Sequence, residues 1–179
     1  PMSDSASALK FTSPDVVWTQ DQSRVQRCTL STRRCDVLAL PELSTRRDYR
    51  WIRVSDDARE LTVSDASEHR ILVYRRSADN APFTLARAYT QGLRFPNQTL
   101  AVNGQLWVAN TNEHAITQLD AQDATRPALG NFPVNNLALR AGHRFPFAMQ
   151  RDHLQRLWVL VADPTMGNAD LLRLDADLK

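Results

Sequence analysis

Apolar positions along this chain recur in short runs. No stretch of about 11 residues or more keeps the i, i+3, i+4, i+7 spacing and capping residues of an amphipathic helix. The runs lie at 16–18, 35–40, 51–54, 60–63, 71–74, 84–89, 99–102, 106–109, 115–119, 147–150, 157–161 and 170–174. Clusters of Asp, Asn, Ser, Gly and Pro separate them roughly every dozen residues. The pattern predicts many short strands joined by turns, hence an all-β sandwich, barrel or propeller.

An internal repeat chooses among the three. Trp51-Ile52-Arg53-Val54, then Glu60-Leu61-Thr62-Val63-Ser64-Asp65, then Glu68-His69-Arg70-Ile71-Leu72-Val73-Tyr74 form one unit. Its pattern returns 45 residues later as Thr99-Leu100-Ala101-Val102-Asn103-Gly104, Gln105-Leu106-Trp107-Val108-Ala109-Asn110 and Glu113-His114-Ala115-Ile116. A third copy opens at Phe145-Pro146-Phe147, continues through Leu157-Trp158-Val159-Leu160 and closes at Asp170-Leu171-Leu172-Arg173-Leu174-Asp175. A period of 45 to 51 residues with three or four short strands per copy predicts propeller blades. The expected division is a disordered tail or cloning scar over 1–10 and blades at about 14–43, 44–92, 93–139 and 140–179.

The order Pro, strand, Asn-Gly turn, Leu-Trp-Val-Ala-Asn, Glu-His-x-Ile, strand, Asp resembles NHL repeats. The likeness is best over 94–120, fair over 48–75 and 144–175, and weak over 14–43. Blades of that family usually carry Asn before the His, where Glu68 and Glu113 stand here, and the third copy has no His. The resemblance implies a β-propeller, of a family whose rings usually hold about six blades. About four units fit in this length, so the expectation is an incomplete ring: part of a longer protein, a half that dimerises, or a compact four-bladed form. An open end exposes strand edges, which implies a protein partner or a second copy of the chain completing the ring.

Charge adds one local feature. The net charge is +2, which gives no general drive toward nucleic acid or anionic membrane. Of the 22 basic residues only Lys10 and Lys179 are lysines, a bias that GC-rich codons or selection for guanidinium chemistry would produce. Between positions 24 and 53, Arg24, Arg27, Arg33, Arg34, Arg46, Arg47, Arg50 and Arg53 face only Asp36, Glu42 and Asp48. This is a solvated basic edge or a ligand- and partner-binding patch, with Arg33, Arg34, Arg46, Arg47 and Arg50 as its candidate residues. No apolar run approaches the roughly 18 residues that span a bilayer, so membrane association is expected only through an anchor outside this segment.

Cys28 and Cys35 flank a stretch that reads as a tight hairpin. If residues 30–33 form a four-residue loop, Thr29 pairs with Arg34 and Cys28 faces Cys35 in the narrower, non-hydrogen-bonded pair. The alternatives are a disulfide, which places the chain in an oxidising compartment such as the periplasm, or two buried thiols. Zinc lacks ligands.

Catalytic motifs are missing: there is no Gly-x-Ser-x-Gly, no phosphate-binding glycine loop and no His-Glu-x-x-His. Because Glu68-His69 and Glu113-His114 recur at one blade position, they read as structural turns rather than acid/base pairs. Propellers similar at the level of fold include calcium-dependent lactonases, which imply Asp65, Asn103, Asn110 and Asp163 as candidate oxygen ligands; as turn formers these residues bond their own backbone instead. The leading expectation is a non-enzymatic, extracytoplasmic binding module without a cofactor. The alternative is part of a calcium-dependent hydrolase.

Overall fold

The computed structural model describes residues 8–20, 24–44, 50–134, 142–165 and 167–174. Two compact units divide the chain, Pro1–Tyr89 and Thr90–Lys179. In the first, β1 (Ala8–Ser13), β2 (Val16–Gln20), β3 (Val25–Thr29) and β4 (Arg34–Val37) form one antiparallel meander. A second joins β5 (Arg50–Val54), β6 (Glu60–Asp65), β7 (Arg70–Arg75) and β8 (Thr84–Tyr89). The other unit holds β9 (Pro96–Val102), β10 (Gln105–Asn110), β11 (Ala115–Asp120) and β12 (Gly130–Pro133), then the three-stranded sheet of β13 (Phe145–Arg151), β14 (Leu157–Ala162) and β15 (Ala169–Leu174). Meanders of three or four strands are propeller blades, so the chain is all-β and of the propeller class that its repeat predicts.

Strand alternation explains each core. Arg50, Ile52 and Val54 of β5 are buried, as are Leu61 and Val63 of β6 and Leu72 and Tyr74 of β7. These apolar side chains pack with Trp18 and Val25 of the first sheet and with Phe83. Arg76 sits among them, its guanidinium 5.4 Å from the Trp18 ring centre and 5.1 Å from that of Phe83. In the other unit Val102, Trp107, Ala109 and Ile116 meet Met149, Leu157, Val159, Val161 and Leu174. Two polar links tie the same pair of sheets: Thr111 Oγ1 donates to the Pro146 carbonyl at 2.7 Å, and the Met149 N–H donates to Gln98 Oε1 at 2.6 Å.

Turn chemistry repeats with the blades. Asn103 and Gly104, at φ 47° and 77°, make the two-residue hairpin between β9 and β10, a turn that needs positive φ at both positions. After β6 and again after β10 comes a single 3₁₀ turn, Ala66–Glu68 and Thr111–Glu113. His69 and His114 end these turns in the left-handed region, their N–H groups bonded to the carbonyls of Ala66 and Thr111. That is the structural role expected of the repeated Glu-His pair.

Two strands escape the pattern of the sequence. The expected tail gives way to strand at Ala8, because β1 pairs with β2 along Ala8↔Gln20 to Phe11↔Val17. β12 carries Gly130, Asn131 and Pro133, residues that usually break strands, yet it forms the outer edge of its sheet, where few ladder bonds are required. A Cβ at Gly130 would come within 2.5 Å of the Gln118 side-chain oxygen, its cross-strand neighbour.

Candidate functional site

Residues 28–35 form the expected hairpin. Thr29 pairs with Arg34 and Cys28 with Cys35, and the two cysteines are joined by a disulfide with their Cα atoms 4.0 Å apart. The Arg33 N–H donates to the Leu30 carbonyl at 3.2 Å, and Arg33 closes the loop at φ 54°. Asp15 holds the loop from the neighbouring turn, accepting from the Ser31 N–H at 2.6 Å and from Ser31 Oγ at 2.7 Å. These two bonds hold its carboxyl below the usual carboxylate range. Arg33 and Arg34 are both exposed. Arg34 Nε lies 3.2 Å from Asp36 Oδ1, with the two side chains 78% and 58% exposed. Such a pair contributes about 0–1 kcal/mol, so it leaves the guanidinium free to exchange partners.

Two other members of the expected patch, Arg46 and Arg47, lie outside the described residues. Arg50 does not belong to a surface patch. Its side chain is fully buried, with Nε 3.2 Å from Asp65 Oδ1 and Nη2 donating to the Ser44 carbonyl at 2.6 Å. Alternation along β5 puts Arg50 on the same side as Ile52 and Val54, facing the core.

The candidate metal ligands have other work. The second oxygen of Asp65 accepts from Arg70 Nε at 3.0 Å and Nη2 at 2.8 Å, so this buried carboxylate serves two guanidinium groups. Asn110, at the equivalent blade position, accepts from the Arg94 N–H at 2.7 Å and donates to the Gly92 carbonyl and to Thr117 Oγ1. Asn103 is the exposed hairpin residue already described. Asp163 accepts from the Thr165 hydroxyl at 2.7 Å, from the N–H groups of Thr165 and Gly167, and from Asn168 Nδ2. Those bonds, the Thr165 hydroxyl first, bring its pKa down to about 2. Asp65 belongs to one unit and the other three to the second. Among the described residues no three His, Cys, Asp or Glu side chains gather where they could hold a metal ion.

A further cluster on the second sheet is not singled out by the local charge count. Glu60 receives three arginines: Arg53 Nη2 at 2.7 Å on Oε1, with Arg75 Nε at 3.1 Å and Arg87 Nη2 at 3.2 Å on Oε2. Burial raises the Glu60 pKa, the arginines lower it by more, and the net direction is downward. The Nε atoms of Arg53 and Arg87 are buried and have no hydrogen-bond partner. Arg53, Thr62, Val73 and Arg87 stand in one row across the sheet, with Glu60 paired to Arg75 beside it. The signal available in the sequence is period-2 spacing, since Arg53 and Arg75 each alternate with core residues.

Asn97, the first residue of a glycosylation-type tripeptide, is fully buried and donates to Thr111 Oγ1 at 2.6 Å, which leaves no room for a glycan. His143 is buried, its Nδ1 2.9 Å from Asp170 Oδ2.

No protein-family model and no curated protein matches the sequence. Solved structures do. A luciferin-regenerating enzyme is 14% identical, matched over 92% of this chain and 59% of its own, with a TM-score of 0.68. A protein of unknown function from Bacteroides caccae is 13% identical over 99% of this chain and 66% of its own, also at 0.68. An auxiliary nutrient binding protein from Bacteroides thetaiotaomicron is 12% identical over 86% of this chain and 44% of its own, at 0.61. The chain thus spans less than two thirds of each. At such identities the likeness concerns the fold alone, and the fold is a β-propeller.

Proposed function

We propose that the chain is a non-enzymatic, extracytoplasmic propeller module that captures an acidic partner, a protein face or an anionic envelope ligand, through the hairpin of residues 28–35. The carrying observation is the hairpin itself. A disulfide and the Asp15 clasp fix its backbone, and the two side chains presented at its turn, Arg33 and Arg34, are exposed cations. Preorganised guanidinium groups lose little freedom when they engage carboxylate or phosphate, and they bind either one bidentately. A disulfide persists in oxidising compartments, which supports a periplasmic or similar setting.

The blades are read as NHL-like on their repeated Leu-Trp-Val-Ala-Asn and Glu-His segments, and the partner as a protein that completes the ring or a second copy of the chain. Leu9 and Phe11 of β1, each 57% exposed on one side of an edge strand, suit such a contact. Calcium chemistry draws no support from Asp65, Asn110 and Asp163, whose side-chain oxygens accept internal hydrogen bonds, or from Asn103, whose backbone makes a hairpin turn. The test is cross-linking of purified protein to envelope extract, comparing wild type with Arg33→Ser/Arg34→Ser. Capture that falls in the variant and weakens with salt supports the reading; equal capture by both proteins overturns it.

A further inference from the structure

We infer that the cleft at the β5–β6 end of the second sheet is a binding site for the oxyanion group of a small solute, a phosphate or a carboxylate. The cleft measures about 420 Å3 and is lined by Ser55, Asp57, Arg59, Glu60, Arg75 and Arg76. Arg53 and Arg87, outside the lining, also donate to Glu60. Five guanidinium groups therefore face three carboxylates, those of Asp57, Glu60 and, at 3.6 Å from Arg76, Asp79. The surplus is two positive charges.

The carboxylates are already engaged, which turns the site against cations. Asp57 Oδ1 accepts from Ser55 Oγ at 2.6 Å and from the Arg59 N–H at 3.0 Å, and both Glu60 oxygens are held by arginine. Donors, by contrast, are left over. The exposed Arg59 guanidinium has no hydrogen bond or ion pair among the described residues. The Arg75 side chain is half exposed at the mouth. Burial lowers the Arg76 pKa, Asp79 opposes that shift, and the neighbouring Arg27 and Arg59 charges add to it.

An oxyanion at the mouth would take hydrogen bonds from Arg59 and Arg75, while Glu60 acts as a resident counter-charge that competes for the same arginines. This site is separate from the hairpin, and its test is independent of the hairpin's. Inorganic phosphate and citrate are each titrated calorimetrically into wild type, Arg59→Gln, Arg75→Gln, Glu60→Gln and Arg33→Ser/Arg34→Ser. A saturable component is expected that either cleft arginine substitution weakens about fivefold or more, that Glu60→Gln tightens and that persists in the hairpin variant. Phosphate binding alone assigns the site to phosphate-bearing solutes, and citrate binding alone to carboxylates; either supports the proposal. Binding of neither probe, or binding unaffected by Arg59→Gln, overturns it. Since the Arg59 side chain is exposed and holds no hydrogen bond or ion pair among the described residues, Arg59→Gln gives the decisive reading even if Glu60→Gln fails to fold.

Discussion

Arg50 and Asp65 face each other across β5 and β6 with neither side chain exposed to solvent, and their contact, 3.2 Å from Nε to Oδ1, is the most deeply buried ion pair among the described residues. Removing Arg50 leaves Asp65 Oδ1 buried without its partner, while Arg70 stays on Oδ2. Arg50→Ala is expected to destabilise the protein by about 3–5 kcal/mol, against within about 0.5 kcal/mol for Arg34→Ala at the surface. Urea denaturation of both variants checks this; equal midpoints would contradict it.

The disulfide closes a short loop, with a sequence separation of seven. Chain-entropy reasoning gives such a loop about 2.5 kcal/mol of stabilisation. Cys28→Ser/Cys35→Ser should lower stability by an amount of that order, and a reductant should bring the wild type down to the same level. A wild type insensitive to reductant would show that the hairpin does not depend on its staple.

Arg76 joins the two sheets of the first unit. Besides lying over Trp18 and Phe83, it donates to the carbonyls of Ala58 and Asp79, and its side chain is only 4% exposed. Arg76→Ala leaves two carbonyls without their donor and a hole beside the rings, for an expected loss of about 2–4 kcal/mol. Arg76→Lys keeps the charge but not the planar fork, so it should recover only part of that loss. Full recovery by lysine would reduce the role of Arg76 to its charge.

Acid should weaken the fold through Asp163. A carboxylate whose pKa falls on folding contributes stability above its unfolded value, ordinarily 3.8 for Asp, and loses it as pH drops through the folded value, about 2 here. Asp163→Asn should therefore melt below wild type at neutral pH, with the difference shrinking between about pH 4 and pH 2. Thermal melts across that range are the measurement. A difference that stays constant with pH would mean that the Asp163 charge is not what holds the turn.

The strands and their repeat are legible in the sequence because alternation and turn residues act locally. The Cys28↔Cys35 register follows from loop length alone. Arg50 shows where a charge count fails: it totals residues along the chain, whereas burial depends on which side of a strand a residue occupies. Arg50 is in phase with Ile52 and Val54, and Asp65 with Leu61 and Val63, so period-2 reading places both in the core. β12 was hidden for the opposite reason, since its composition opposes a strand and only pairing with β11 makes one. The Glu60 cluster needs four strands in register before its arginines meet, and no single segment encodes that.

Residues 28–35 are the proposed docking element. Amide hydrogen exchange on the captured complex, followed peptide by peptide with and without the partner at low and at about 0.5 M salt, tests it most directly. Slowed exchange over residues 28–37 is expected at low salt, with loss of that protection at high salt. Protection confined to other blades, with the hairpin unchanged, would contradict it.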